Sequence, residues 1–244
     1  MTALLLPKVP FWATPDPLDL SRGVVQFTGI KLTVLGQRKI PQGVPMMVVS
    51  NHRSVIDAPV LMAGLNRNIS FVCHQYMEHV PFLRDLVSQF GAFPLDTPQR
   101  LFRQGYKRLR RQEAIGIFPE GASSMVQLQA PRQVNSFHRG FSHLALRVPV
   151  DPLALLPVAL VSDEVGFESP IPLRLLGWFD PDEPLFQQSG GHPLVFYRQV
   201  EVRIGDPVWV TSSHREQYRG RHGMEFAQQL TDRCWSAVND LLQQ

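Results

Sequence analysis

Four short apolar runs, spaced far enough apart for a helix to lie between neighbours, constrain this chain more than any other feature. They fall at residues 46–49, 69–73, 115–118 and 153–161, and the first follows a Gly/Pro-rich turn. Uninterrupted runs of this length, bounded by turn residues, read as strands buried in a sheet interior. Helical patterns separate them, at residues 54–65, 81–90, 98–112 and 140–147, and an alternating segment at 31–36 and a run at 194–204 add outer strands. Strand–helix alternation predicts an α/β fold: a single domain with a largely parallel central sheet flanked by helices and its functional site at the strand ends. Residues 1–22 are Pro-rich and read as an extended arm with room for a short helical turn, residues 23–244 as the domain, and the Pro/Gly-rich residues 162–192 as an inserted loop. Toward the C-terminus Phe226, Leu230, Cys234, Val238 and Leu241 make one apolar helical stripe, and Tyr197, Val200 and Val202 are core candidates in the last strand.

The first run leads into Ser50-Asn51-His52-Arg53-Ser54-Val55-Ile56-Asp57. Ser54 and Asp57 have the S-x-x-D spacing of a capping box, which starts a helix at Ser54 and leaves His52 in the turn before it. On one continuous helix, residues five apart diverge by about 140°. In a turn followed by a helix, a carboxylate in the first helical turn can reach back to the imidazole, fix one tautomer and favour imidazolium as it forms. That is equipment for taking a proton from a hydroxyl. The plainer alternative is that Asp57 only caps the helix. The third run leads into Phe118-Pro119-Glu120-Gly121, a tight turn at a strand exit.

Composition limits the partners. A net charge of +3 is too small to point to nucleic acid. Cys73 and Cys234 are far apart and lack metal-ligand spacing, which fits a reduced, cytosolic setting with no metal. No run approaches the roughly 20 apolar residues of a spanning helix, and the leucine run ending at Leu6 has no basic flank and stops at Pro7. Residues 171–179 pair apolar side chains with Arg174 and Trp178, a composition suited to a bilayer headgroup boundary. Arg100, Arg103, Lys107, Arg110 and Arg111 share one face of the 98–112 helix. They make either an ordinary solvated face or a contact for anionic headgroups, coenzyme A phosphates or an acidic carrier protein. The other histidines, His138 and His143 among them, receive no assignment from sequence.

Asn51-His52-Arg53-Ser54-Val55-Ile56-Asp57 followed by Phe118-Pro119-Glu120-Gly121 resembles the glycerolipid acyltransferase family, best known for the lysophosphatidate acyltransferases. Phe137-His138-Arg139-Gly140, Leu156-Pro157-Val158 and Ile204-Gly205-Asp206-Pro207 extend the resemblance in the family's order. It implies transfer of a fatty acyl group from acyl-CoA or acyl carrier protein, without a cofactor, to a hydroxyl of a lysophospholipid-type acceptor, lysophosphatidate first among them. His52 and Asp57 would be the catalytic pair. Glu120, Gly121, Ser123, Thr97 and Arg100 would bind substrate, with backbone N–H groups around Glu120-Gly121 for the oxyanion, and Asn51, Ser54 and Pro157 would support the site. The expected location is the cytoplasmic face of a membrane, peripherally bound. The chain departs from the family at two positions: Thr97 and Ser123 stand where arginines usually hold the acceptor phosphate. Either the helix start at Thr97-Pro98 with Arg100 supplies replacement contacts, or the acceptor carries no phosphate. A serine esterase or thioesterase using Ser123 or Ser124 is disfavoured by the lack of a G-x-S-x-G elbow. A non-catalytic lipid-binding protein is disfavoured by the intact His52, Asp57, Glu120 and Gly121.

Overall fold

The computed structural model describes residues 16–75, 77, 81–95, 97–121, 132–178, 181, 187 and 191–244. Its first helix, α1 (Pro17–Thr28), starts where Asp16 accepts the Leu18 N–H and ends where Gly29 turns left-handed at φ 68°. The extended arm is thus corrected over its last residues, because an Asp-Pro pair is also a helix start: acceptor side chain, then a residue that needs no N–H partner. The Ser21 hydroxyl donates to the Pro17 carbonyl and meets the Met62 sulfur, which fastens α1 to α2 (Asp57–Leu65).

The remaining elements are β1 (Lys31–Leu35), β2 (Met46–Ser50), β3 (Ile69–His74), α3 (Pro81–Gln89), β4 (Phe93–Leu95), α4 (Pro98–Arg110), β5 (Ala114–Ile117), α5 (Gly140–Arg147), β6 (Leu153–Pro172), α6 (Leu173–Leu176), β7 (Gly191–Ile204), β8 (Val208–Val210), α7 (Ser212–Arg219) and α8 (Gly223–Gln243). One sheet runs in the order β1-β7-β6-β2-β5-β3-β4, with β8 also on β6. Pairing is parallel except at β6–β7 and β6–β8. The interior runs are buried as their composition requires: all five residues of β2 and all four of β5 are buried. Met46 and Val48 face a core shared with α1 and α2, while Met47 and Val49 face one shared with α4, α5 and α8.

Two elements differ from the sequence reading. Residues 162–172 do not form a plain loop but continue β6, pairing with β7 from Ser162↔Val200 to Pro172↔Gly191 across two register shifts. A ladder partner outweighs the low strand propensity of the Gly and Pro residues there. The chain from Glu216 onward, which the apolar stripe reads as one helix, is two, α7 and α8, parted at Gly220; Gly223 opens α8, where a Cβ would stand 2.1 Å from the Tyr218 carbonyl oxygen. Within α8, Cys234, Val238 and Leu241 are buried as expected, joined by Ala227 and Thr231. Burial pushes the Cys234 thiol up to about 12. On α4, Leu101, Gly105 and Leu109 are buried, and Arg103, Lys107, Arg110 and the capping Arg111 are exposed, as the amphipathic reading requires.

Gly116 in β5 is fixed by a ring. It lies opposite Phe71 of β3, and a Cβ there would stand 2.2 Å from the Phe71 Cε1. Gly116→Val therefore displaces Phe71 from a packed layer. The expected cost is about 1–3 kcal/mol, read as a fall of several degrees in Tm; an unchanged Tm would show that the ring has room to move.

Candidate active site

β2 and β5 are parallel and in register, Val49 opposite Ile117, so both chains leave the sheet at the same edge. The loop after β2 is held by its own polar side chains. Asn51 is fully buried; its Nδ2 donates to the Leu160 carbonyl at 3.0 Å and its Oδ1 accepts the Leu160 N–H at 2.8 Å, which ties the loop to β6. The Ser54 hydroxyl donates to the Val195 carbonyl of β7 at 2.8 Å.

Helix α2 begins at Asp57 rather than at Ser54. The carboxylate, not the serine hydroxyl, gathers the loop: Asp57 Oδ2 accepts the N–H of Arg53 at 2.6 Å and of Ser54 at 2.9 Å. The S-x-x-D spacing fits either polarity, and here the acid serves the turn behind it. The same oxygen lies 2.8 Å from Nδ1 of His52. Asp57 is fully buried and the His52 side chain 17% exposed, so the pair is largely shielded from water. Asp57 Oδ1 accepts the Tyr197 hydroxyl. The carboxylate is thus fixed at both oxygens, with the imidazole among its donors.

The His52 ring lies flat on Phe118, with centroids 4.0 Å apart and planes 9° from parallel. Phe118 in turn stacks on Phe71 at 5.2 Å. Gly116, which admits Phe71, therefore supports the histidine through two rings. With Nδ1 bound on the inner side, the Nε2 edge faces the cavity that His52 lines.

Glu120 is 2% exposed and turned inward. Its Oε1 accepts the His52 N–H and its Oε2 the Asn135 N–H, both at 2.8 Å. Burial raises its pKa, and these two backbone hydrogen bonds act in the opposite sense. The resemblance implies Glu120 for the substrate, with a carboxylate that fixes its own turn as the alternative; in the structure its two oxygens join the His52 loop to the segment before α5. Gly121 does line the cavity, at φ 72°, a backbone conformation that favours glycine. Its N–H is directed at the Phe118 carbonyl, 3.4 Å away, so it belongs to the turn rather than standing as an open oxyanion donor.

Thr97 caps α4, accepting the Arg100 N–H at 3.2 Å, so that amide is taken by the cap. Pro98 reaches the cavity wall, whereas Thr97 and Arg100 are not part of it. Pro157 is buried in the sheet beside Val49, its carbonyl accepting the Gly205 N–H, and is not part of the cavity wall. Ser123 falls outside the described residues.

The cavity, about 590 Å³, passes over the strand ends and reaches both faces of the sheet. On one side its wall is apolar, from Val24, Ile56, Leu86 and Phe90. On the other, Leu101, Phe102, Phe141 and Leu144 face it, with His143 and Arg147 along α5. His138 also lines it, its Nε2 2.9 Å from where a Gly121 Cβ would lie. A cleft of this kind accepts two long apolar substituents and presents a carboxylate-supported imidazole where they meet. Sequence reasoning took Tyr197 only as core. The available signal was a hydroxyl on a buried strand position, which needs a partner. Among the described residues no cluster of His, Cys, Asp and Glu has the arrangement of a metal site.

A family model described as Acyltransferase matches residues 31–161, more than half of the chain. A lyso-ornithine lipid O-acyltransferase of Brucella abortus (strain 2308) is 28% identical over 233 residues, spanning 87% of this chain and 84% of its own. The crystal structure of the 1-acyl-sn-glycerophosphate (LPA) acyltransferase PlsC from Thermotoga maritima has a similar fold. Its TM-score is 0.53 at 14% identity, over 91% of this chain and 78% of that one.

Proposed function

Because the chain belongs to the acyltransferase family, we propose that it moves a fatty acyl group from a thioester, on coenzyme A or acyl carrier protein, to the hydroxyl of a lysolipid. The observation that carries this reading is the buried His52–Asp57 pair opening onto a two-sided apolar cleft. Asp57 holds the His52 Nδ1–H, so the Nε2 lone pair takes the proton of the acceptor hydroxyl. The hydroxyl oxygen attacks the thioester carbonyl and the C–O bond forms. The C–S bond then breaks, and the proton on Nε2 passes to the departing thiolate. Imidazolium carries the charge in between, supported by a carboxylate fixed by Tyr197 and two backbone N–H groups. No residue of the protein is acylated.

We assign the acceptor as a phosphate-free, ornithine-type lysolipid rather than lysophosphatidate. Thr97 and Ser123 replace both arginines that the family pattern places on the phosphate, and the relative from Brucella abortus is named for a lyso-ornithine lipid. Two missing charge-assisted contacts, at about 1.5–3 kcal/mol each, weaken a phosphate acceptor by two or more decades. With one acyl-CoA as donor, kcat/KM for a lyso-ornithine lipid is expected to exceed that for lysophosphatidate by about 100-fold or more. Equal turnover of the two would remove the assignment. The work takes place at the cytoplasmic surface of a bilayer, where the lysolipid meets a thioester donor from the cytoplasm. Trp178, 80% exposed, with Leu175 and Arg174 on the connection between β6 and β7, is the contact we assign to it. Among the described residues no helix is long and apolar enough to cross a membrane.

A further inference from the structure

Along α5 the cleft carries a polar group that the chemistry at His52 does not use. Gly140, His143, Leu144 and Arg147 fall on the helix face that lines the cavity. At 1.5 Å per residue, Arg147 lies about 10 Å further along the helix axis than Gly140, beside the Pro-Glu-Gly turn. Both polar side chains are held from behind by one residue of α7. The Tyr218 hydroxyl accepts from Nε of Arg147 at 3.0 Å and lies 2.9 Å from Nδ1 of His143.

These contacts set the direction of the free donors. Burial, together with Arg147 and Arg139, lowers the pKa of His143 and favours its neutral form. A hydroxyl that accepts from Arg147 has its own proton to give to Nδ1 of a neutral imidazole, which leaves the hydrogen on Nε2. The terminal amino groups of Arg147 and the Nε2–H of His143 are then donors on the cavity wall. Among the described residues, no carboxylate lies within ion-pair distance of Arg139, His143 or Arg147. Positive charge on this cleft, oriented by a tyrosine and with no carboxylate among the described residues in ion-pair reach, suits an oxyanion.

We propose that Arg147 and His143, oriented by Tyr218, bind the anionic group of the acceptor headgroup: the carboxylate of an ornithine-type lysolipid. The assignment rests on the acceptor being a lysolipid. The site lies on α5, apart from positions 97 and 123, where the family pattern places its phosphate contacts. Arg147 grips the headgroup and Tyr218 is a positioning residue.

The test uses the full-length protein and short-chain probes below their micelle concentration: lyso-ornithine lipid, its carboxamide analogue, and lysophosphatidate. Arg147→Gln is expected to raise KM, and the Kd measured by calorimetry, for the carboxylate acceptor by about 10- to 100-fold, the worth of one charge-assisted contact. The KM for acyl-CoA stays unchanged, the carboxamide analogue is insensitive to the substitution, and Arg147→Lys recovers part of the loss. Tyr218→Phe raises the same KM by a smaller factor without altering kcat for a saturating acceptor. If the wild type prefers lysophosphatidate, the ornithine assignment falls; an Arg147→Gln effect on that acceptor's Kd still supports the anion site. An effect confined to the acyl-CoA KM would place coenzyme A phosphates there instead, and no effect on any Kd would overturn the site.

Discussion

His52→Ala lowers acyl transfer by roughly 10²- to 10⁴-fold, the usual worth of a positioned general base, while circular dichroism stays as in the wild type. The loss is chemical rather than structural. The side chain stands at the end of β2 in a loop fixed independently by Asn51 on Leu160, Ser54 on Val195 and the His52 backbone N–H on Glu120. What goes with the ring is its stacking on Phe118, a contact of about 1 kcal/mol, and its hydrogen bond to Asp57, whose carboxylate keeps the N–H groups of Arg53 and Ser54 and the Tyr197 hydroxyl. Acceptor-dependent thiol release from acyl-CoA measures the rate. Turnover within tenfold of the wild type would mean that some other group takes the proton.

Asp57 separates support of charge from support of shape, and two substitutions read the two roles apart. In Asp57→Asn the amide oxygen can still accept from His52 and the loop N–H groups, and the amide nitrogen can donate to Tyr197, whose hydroxyl turns to accept it. Folding survives with a small loss of stability, but a neutral amide does not support imidazolium, and kcat falls by roughly 10²- to 10⁴-fold. Asp57→Ala leaves the N–H groups of Arg53 and Ser54 and the hydroxyl of Tyr197 without their acceptor in a fully buried place. Each such orphan costs about 1–3 kcal/mol, so the sum is a large share of a typical stability of about 5–15 kcal/mol. Thermal melts should therefore rank wild type above Asn and Asn far above Ala, with both variants nearly inactive. An Asn variant that keeps wild-type kcat would reduce Asp57 to a structural clamp.

The parts of the site that sequence reveals are those set by short spacings. His52 and Asp57 are five residues apart, and the strand-then-turn pattern was enough to bring them together. Glu120 was visible as a turn residue, but its direction was not, because its partners at His52 and Asn135 are chosen by the packing of two loops. Tyr197 meets Asp57 from 140 residues away, and nothing local distinguishes its hydroxyl from an ordinary core ring. The same limit explains residues 162–172: their composition describes a loop, and only the antiparallel partner in β7 makes them strand. At Ser54 and at Asp16-Pro17 the local signals are in the sequence, but S-x-x-D spacing fits either polarity and an Asp-Pro pair suits an extended arm as well as a helix start. His143, Arg147 and Tyr218 share no motif; α5 and α7 bring them together.

The claim that imidazole activates the acceptor directly, with no acylated protein between donor and product, is tested most directly by incubating the purified protein with acyl-CoA alone and recording its intact mass together with thiol release. The account predicts an unchanged mass and almost no thiol until a lysolipid is added, after which thiol and diacylated product appear in equal amounts. A mass increase of one acyl group, or a burst of thiol without acceptor, would contradict it.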